Sequence, residues 1–245
     1  MSEGEPPLDD VDRPDFAADS GERSGSVGTH DLLVGVALVW GTELAMGTMA
    51  AGWVHAGAAA AVPGIVLVLT LASNVVTLLV AWWLVCRKYQ KTCTEGFALE
   101  GVPAWSVITW GVFGIITAAG ATVLIASYAN DKGVMADMGK TLQGLSAALV
   151  LAVIVPPFEE FYYRGFIQPA LANGLNPAAA VAITSGWFAV AHTYQLVGNW
   201  VALLVVATMG LVWSLMRAKT KSLLPPLASH WCYNITIVII QIAVL

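Results

Sequence analysis

The sequence predicts an all-α membrane protein, a polytopic transmembrane helical bundle of about seven spans. The first observation is the composition, since 58% of the 245 residues are hydrophobic and only 11% are charged. The second is the mean hydropathy of +0.74. A soluble domain carries about 25% charged residues, so this chain is built for a bilayer. The third observation is a series of apolar segments, most of which reach the roughly 20 residues that a transmembrane helix needs.

Seven apolar segments follow one another along the chain, and prolines mark the start of four of them. These starts are Pro63–Gly64, Pro103, Asn176–Pro177 and Pro225–Pro226. The predicted spans are 31–54, 62–86, 103–126, 142–170, 177–195, 199–217 and 223–244.

Basic residues cluster in two connecting loops and predict the orientation of the chain. Three lie in residues 87–91, after the second span, and three in residues 217–221, after the sixth. Both loops follow even-numbered spans and so fall on one side, which the positive-inside rule assigns to the cytoplasm. The N-terminus is therefore expected in the cytoplasm and the C-terminus outside.

The first 29 residues differ from the rest of the chain. They contain eight acidic residues and two arginines, with almost nothing apolar to bury. We expect a disordered acidic tail at 1–29, followed by a transmembrane domain at 30–245. The tail lacks the basic start and apolar run of a signal peptide. Nucleic acid is not an expected partner, because the chain has no basic patch.

Several ionisable or polar side chains lie within the predicted spans. Each charged one costs at least about 2.5–3.5 kcal/mol on insertion scales, so such residues are functional candidates by default. Glu43 stands in the first span, where it either lines a substrate chamber or is protonated against a neighbouring helix. The others are Glu159, Glu160, Arg164, His192, His230 and Asn234.

The fourth span combines two acids, one arginine and a double proline. Glu160 and Arg164 are four residues apart, the spacing of a helical ion pair. Glu159 is rotated about 100° from Glu160 and needs another partner. Pro156–Pro157 is expected to bend the helix just before these residues.

The turn between the fourth and fifth spans predicts that His192 is the partner of Glu159. Glu159 and His192 lie at similar distances from the turn at 172–176, so the hairpin brings them to similar depth. His230 and Asn234 share one face of the seventh span. A tilt, or a break of the helix at the prolines, is needed to bring His230 to the same depth.

Three motifs in this order resemble the signature of the CPBP family of intramembrane glutamic endopeptidases, the CAAX prenyl protease and bacteriocin-processing (Abi) family with its Rce-type members. The motifs are Glu159-Glu160-x-x-x-Arg164, Phe188-x-x-x-His192 and His230-x-x-x-Asn234. The resemblance covers roughly 140–240, and the earlier spans match only in being hydrophobic. It implies a membrane-embedded peptidase that needs no cofactor, with a peptide or lipidated protein as substrate and membrane lipid around it. The compact chain without a targeting segment predicts a prokaryotic cell membrane.

The resemblance also implies a role for each motif residue. Glu159 is expected to be the general base that activates water, with His192 as its partner. His230 and Asn234 are expected to face the oxyanion of the tetrahedral intermediate. The residues expected to support the site are Glu160, Arg164 and Phe188.

Other functions stay open on the residues alone. Glu159, His192 and His230 could bind zinc with an open position for water, although no H-E-x-x-H motif is present. A proton-coupled transporter could use Glu43 in a relay, but the internal repeats common in transporters are not evident. A non-catalytic scaffold is the third alternative. Cys232 is not expected to be a nucleophile, because it points roughly 200° away from His230 on a helix.

Overall fold

The computed structural model of the chain describes residues 27–55, 62–128, 142–193, 195–196 and 198–243. All regular secondary structure in these ranges is helical, which confirms the predicted all-α class. Residues 1–26 of the predicted tail lie outside the described residues. The helices are α1 (Thr29–His55), α2 (Val62–Trp82), α3 (Cys93–Gly96), α4 (Ala104–Tyr128), α5 (Leu142–Tyr162), α6 (Gln168–Ala172), α7 (Pro177–Ala191), α8 (Trp200–Thr220) and α9 (Leu224–Ala243).

Five of these helical stretches are long and apolar enough to cross a membrane, so the chain is a multi-pass membrane protein. α7 is apolar but has 15 residues, and α9 is not among the five. Each predicted span contains a helix, while the number of seven crossings and the side of the N-terminus stay predictions. The five stretches are Thr29–Met49, Leu67–Arg87, Ala104–Tyr128, Gly144–Ala172 and Trp200–Thr220.

Helices α2 and α5 each continue into a five-residue π-helical turn, at Trp83–Arg87 and Tyr163–Ile167. Such turns are frequent at functional sites. α5 runs through Pro156 and Pro157 without a break, so the break considered from the sequence is absent, while the expected bend stays a prediction. Prolines are tolerated in membrane helices where neighbouring helices pack around them, and α2 and α9 both pack against α5.

The start of α1, the end of α2 and the turn after α6 lie at one end of the bundle. Asp31 is buried and accepts hydrogen bonds from Lys88 Nζ and Tyr89 Oη. The hydrogen bond to Asp31 raises the pKa of the Lys88 ammonium. Asn173 Nδ2 donates to the carbonyl of Val27 at 2.8 Å. α1 therefore runs antiparallel to α5 and α6.

Helix α9 begins deep within the bundle. The backbone N–H of Leu223 donates to the carbonyl of Ala98 at 2.9 Å, which joins the two basic loops on one side of the bundle. A Cβ on Gly165 would lie 3.6 Å from Leu223 Cδ2, so α9 starts at the depth of Gly165. The turn after Ala172 lies seven residues, or about 10 Å, beyond that depth. This recessed start brings His230 to the level of Glu159.

Candidate active site

Three motif side chains from three helices meet at one point. Glu159 Oε1 lies 3.7 Å from His192 Nε2, and Glu159 Oε2 lies 3.6 Å from His230 Nε2. Glu159 stands near the end of α5, His192 caps the C-terminus of α7, and His230 lies in the second turn of α9. The Glu159 and His192 side chains remain 18% and 16% exposed, so neither is fully enclosed by the protein.

Glu160 and Arg164 form a fully buried ion pair on the same helix, with 2.9 Å between Arg164 Nη1 and Glu160 Oε1. This is the pair that the sequence spacing predicts. Each charge relieves part of the desolvation cost of the other, which neither side chain could bear alone.

Helix α8 holds the guanidinium of Arg164 in place. Nη2 donates to the carbonyl of Gly210 at 2.9 Å, and Nε donates to Ser214 Oγ at 3.3 Å. The carbonyl of Ser214 in turn accepts from Gln168 Nε2 at 2.9 Å. The sequence spacing of Gly210 and Ser214 predicts close helix packing and no more, since their partners lie on another helix.

His230 is oriented by Glu160 and Trp213. Its Nδ1 lies 2.8 Å from Glu160 Oε1, the oxygen that also accepts from Arg164. Nδ1 is therefore the donor, and in the neutral ring Nε2 carries a lone pair that faces Glu159. The imidazole stacks on the Trp213 ring, with centroids 3.8 Å apart and planes 20° apart. No sequence pattern singles out Trp213 among the 10 tryptophans.

His192 is oriented by the backbone of its own helix. Its Nδ1 lies 2.7 Å from the carbonyl oxygen of Phe188. A carbonyl can only accept, so Nδ1 donates, and Nε2 of the neutral ring presents a lone pair to Glu159. When both rings are neutral, both oxygens of Glu159 face nitrogen lone pairs.

Phe188 forms a wall of this site. Its side chain is buried, and its ring centroid lies 4.5 Å from that of His192 and 5.8 Å from that of His230. The guanidinium carbon of Arg164 lies 4.5 Å from the same centroid, a favourable cation–π distance. Phe188 thus packs against both histidines and the ion pair.

Asn234 and Cys232 lie on α9 beyond His230. Asn234 is partly buried and makes no hydrogen bond to a described residue. Its carboxamide therefore does not bond to the carboxylate of Glu159 or Glu160. Cys232 Sγ faces α4, where a Cβ on Gly111 would lie 3.3 Å away. The thiol therefore points away from the site, as the helix geometry predicts.

Glu43 lies beside the site, on α1. Its side chain is exposed, and within the described residues no hydrogen bond to it is found. Both expectations for Glu43, a residue that lines the substrate chamber and one protonated against a neighbouring helix, stay predictions.

Among the described residues, no group of three His, Cys, Asp or Glu side chains is arranged to hold a metal ion. The two Nε2 atoms and the Glu159 carboxylate are suitable zinc donors by chemistry. The expectation of a cofactor-free site stays a prediction.

Comparison with known proteins identifies one family. Residues 141–236 match the sequence model of the Rce1-like family, described as type II CAAX prenyl endopeptidase Rce1-like. The match spans all three motifs and supports the CAAX protease family that they predict. No curated protein and no solved structure matches the chain.

Proposed function

Residues 141–236 match the Rce1-like family of CAAX prenyl endopeptidases, and on this premise we propose that the chain is an intramembrane glutamic endopeptidase. It hydrolyses a peptide bond of a membrane-associated or prenylated substrate with a water molecule that Glu159 and His192 activate.

The observation that carries this proposal is the pair of acceptor atoms, Glu159 Oε1 and His192 Nε2, at 3.7 Å. The gap is too long for a direct hydrogen bond, and two acceptors have no proton to share. A water molecule beside both atoms donates one O–H to each. Its oxygen lone pairs then point away from the pair, toward an incoming carbonyl carbon.

The reaction needs no other reactant than water and the peptide. Glu159 takes a proton from the water molecule while the oxygen of that water attacks the carbonyl carbon. The carbonyl π electrons move to the oxygen and give a tetrahedral oxyanion. The proton then passes to the amide nitrogen, the C–N bond breaks, and a carboxyl group and an amine leave.

Two side chains stabilise the oxyanion. The carboxamide of Asn234 is free to donate. His230 donates from Nε2 when it carries a second proton, and Glu160, at 2.8 Å from Nδ1, is the counter-ion of that imidazolium. A donor of this kind is worth about 2.7–4 kcal/mol in a site that excludes water.

Peptide cleavage by the purified chain in lipid nanodiscs tests the proposal. Glu159→Gln and His192→Ala are each expected to lower kcat by about a hundredfold or more. Glu100→Gln, the same chemical change at an exposed carboxylate outside the site, is the matched control. Cleavage by Glu159→Gln at the wild-type rate would show the mechanism to be wrong. If the wild-type chain cleaves no peptide, the transporter and scaffold alternatives stand.

The requirement for a prenyl group is tested with a farnesylated peptide and its unprenylated twin. We expect faster cleavage of the farnesylated peptide, because its farnesyl group stays in the bilayer and holds the peptide beside the site. Equal cleavage rates would show that the enzyme recognises the peptide sequence and not the farnesyl group. A prokaryotic cell membrane remains the proposed location.

Prolonged chelation tests the metal-free mechanism. Activity is expected to survive dialysis against a strong chelator. Loss of activity that added zinc restores would favour the zinc alternative, with Glu159, His192 and His230 as ligands.

A further inference from the structure

Glu43 reaches the depth of Glu159 in the bundle. A Cβ on Gly35 would lie 2.5 Å from the ring of Phe166, so α1 and the π turn after α5 touch at this level. α1 and α5 run antiparallel from that contact. Eight residues, about 12 Å, lead from Gly35 to Glu43, and seven residues, about 10 Å, lead from Phe166 back to Glu159.

Glu43 lies at the edge of the α1 face that contacts α5, about 80° round the helix from Gly35. Gly35, Val39 and Glu43 follow one another at four-residue intervals, and Val39 is buried. Glu43 occupies the next turn of that face and is exposed. The antiparallel packing of α1 on α5 therefore places Glu43 on the α1 side of the bundle at the level of Glu159.

Tyr162 supplies a second observation, because its ring packs on Phe166, the residue that α1 contacts at Gly35. Its side chain is 1% exposed, and its hydroxyl has no hydrogen-bond partner among the described residues. The ring is fixed by Tyr163 and Phe166, with centroids 5.1 Å and 5.9 Å away. It follows Glu159 by three residues and so shares that side of α5. A buried hydroxyl without a partner is costly, so the site has an unmet hydrogen bond.

We propose that Glu43 and Tyr162 form a subsite for a basic side chain of the substrate, close to the peptide bond that is cleaved. This inference rests on the proposed function and adds a substrate class to it. An ammonium or guanidinium group donates to the Glu43 carboxylate and to the Tyr162 oxygen at once. Within the described residues, Arg164 is committed to Glu160 and Lys88 to Asp31, so neither neutralises Glu43.

A peptide panel in nanodiscs tests the subsite. Each peptide carries one lysine, arginine or norleucine at one of four positions on either side of the cleaved bond. At one position the wild-type chain is expected to prefer the basic residue by about tenfold in kcat/KM, and Glu43→Gln is expected to abolish that preference. Comparing kcat/KM for the lysine and arginine peptides shows whether the subsite prefers an ammonium or a guanidinium group. Leu44→Ala, a neighbouring change on the exposed side of α1, should keep the wild-type preference.

Charge reversal and binding complete the test. Glu43→Lys is expected to prefer a peptide with glutamate at the same position. Binding of the lysine and norleucine peptides to Glu159→Gln, with and without Glu43→Gln, measures the subsite without cleavage. Cleavage with the same preference in wild type and Glu43→Gln would overturn the subsite alone. Selective binding without any cleavage by wild type would overturn the proposed function and leave the subsite standing.

Discussion

His230 and Glu160 are joined by a hydrogen bond of 2.8 Å between Nδ1 and Oε1, although 70 residues separate them in sequence. The same carboxylate oxygen accepts from Arg164 at 2.9 Å. Glu160 therefore ties α9 to the ion pair of α5 and turns Nε2 of His230 toward Glu159. The two adjacent glutamates face opposite nitrogens of His230, and only Glu160 pairs with Arg164, so their substitution should have different effects.

Glu160→Gln is expected to destabilise the fold. The substitution leaves Arg164 buried without its counter-ion, which typically costs about 3–5 kcal/mol in the free energy of unfolding. Thermal unfolding in detergent measures the effect. Glu159→Gln is the control: it should unfold near the wild-type temperature while losing cleavage. Equal melting of Glu160→Gln and wild type would contradict the structural role of Glu160.

Trp213→Leu is expected to lower kcat by about tenfold with little change in KM. The indole that stacks on His230 is lost, so the imidazole can rotate away from Glu159, and small misplacements of catalytic groups are costly. Trp213→Phe keeps a stacking ring but removes the Nε1 donor to Ser229 Oγ, and should retain most of kcat. A change confined to KM in Trp213→Leu would argue against an orienting role.

Gly210→Ala is expected to disturb the wall of the site. Its Cβ would lie 2.9 Å from Phe188 Cδ1, so the phenyl ring must shift against both histidines. Overpacking of this kind costs about 1–3 kcal/mol, and we expect cleavage to fall with stability. Gly186→Ala, two residues from Phe188, meets no atom within 4 Å and should leave both unchanged. Equal behaviour of the two variants would show that this contact is unimportant.

Gly114→Ala is expected to displace α9 from α4. The new Cβ would overlap the backbone carbonyl of Ser229, the residue before His230. Because backbone cannot move aside as a side chain can, both melting temperature and cleavage should fall. Gly120→Ala on the same helix faces open space and should be neutral or slightly stabilising. Retention of wild-type cleavage by Gly114→Ala would mean that α9 adapts without moving His230.

The sequence was sufficient for features that depend on helix periodicity or on composition. The ion pair of Glu160 and Arg164 follows from a four-residue spacing on one helix, and the membrane class follows from hydropathy. The depth of His230 was harder to predict, because α9 starts about 10 Å deeper in the bundle than the turn after Ala172. That recessed start depends on the Leu223–Ala98 hydrogen bond between distant loops.

The sequence alone determined the all-α class, the identity of the motif residues and the pairing of Glu160 with Arg164. The tertiary structure decided which nitrogen of each histidine faces Glu159, and that Trp213, Gly210 and Ser214 hold the site. The reason is physical: helical spacing fixes neighbours within one turn, whereas the orientation of the His230 ring and of the Arg164 guanidinium is fixed by partners on other helices. The hydrogen-bond partners on other helices lie 46 to 70 residues away for Arg164 and His230, and only packing brings them together.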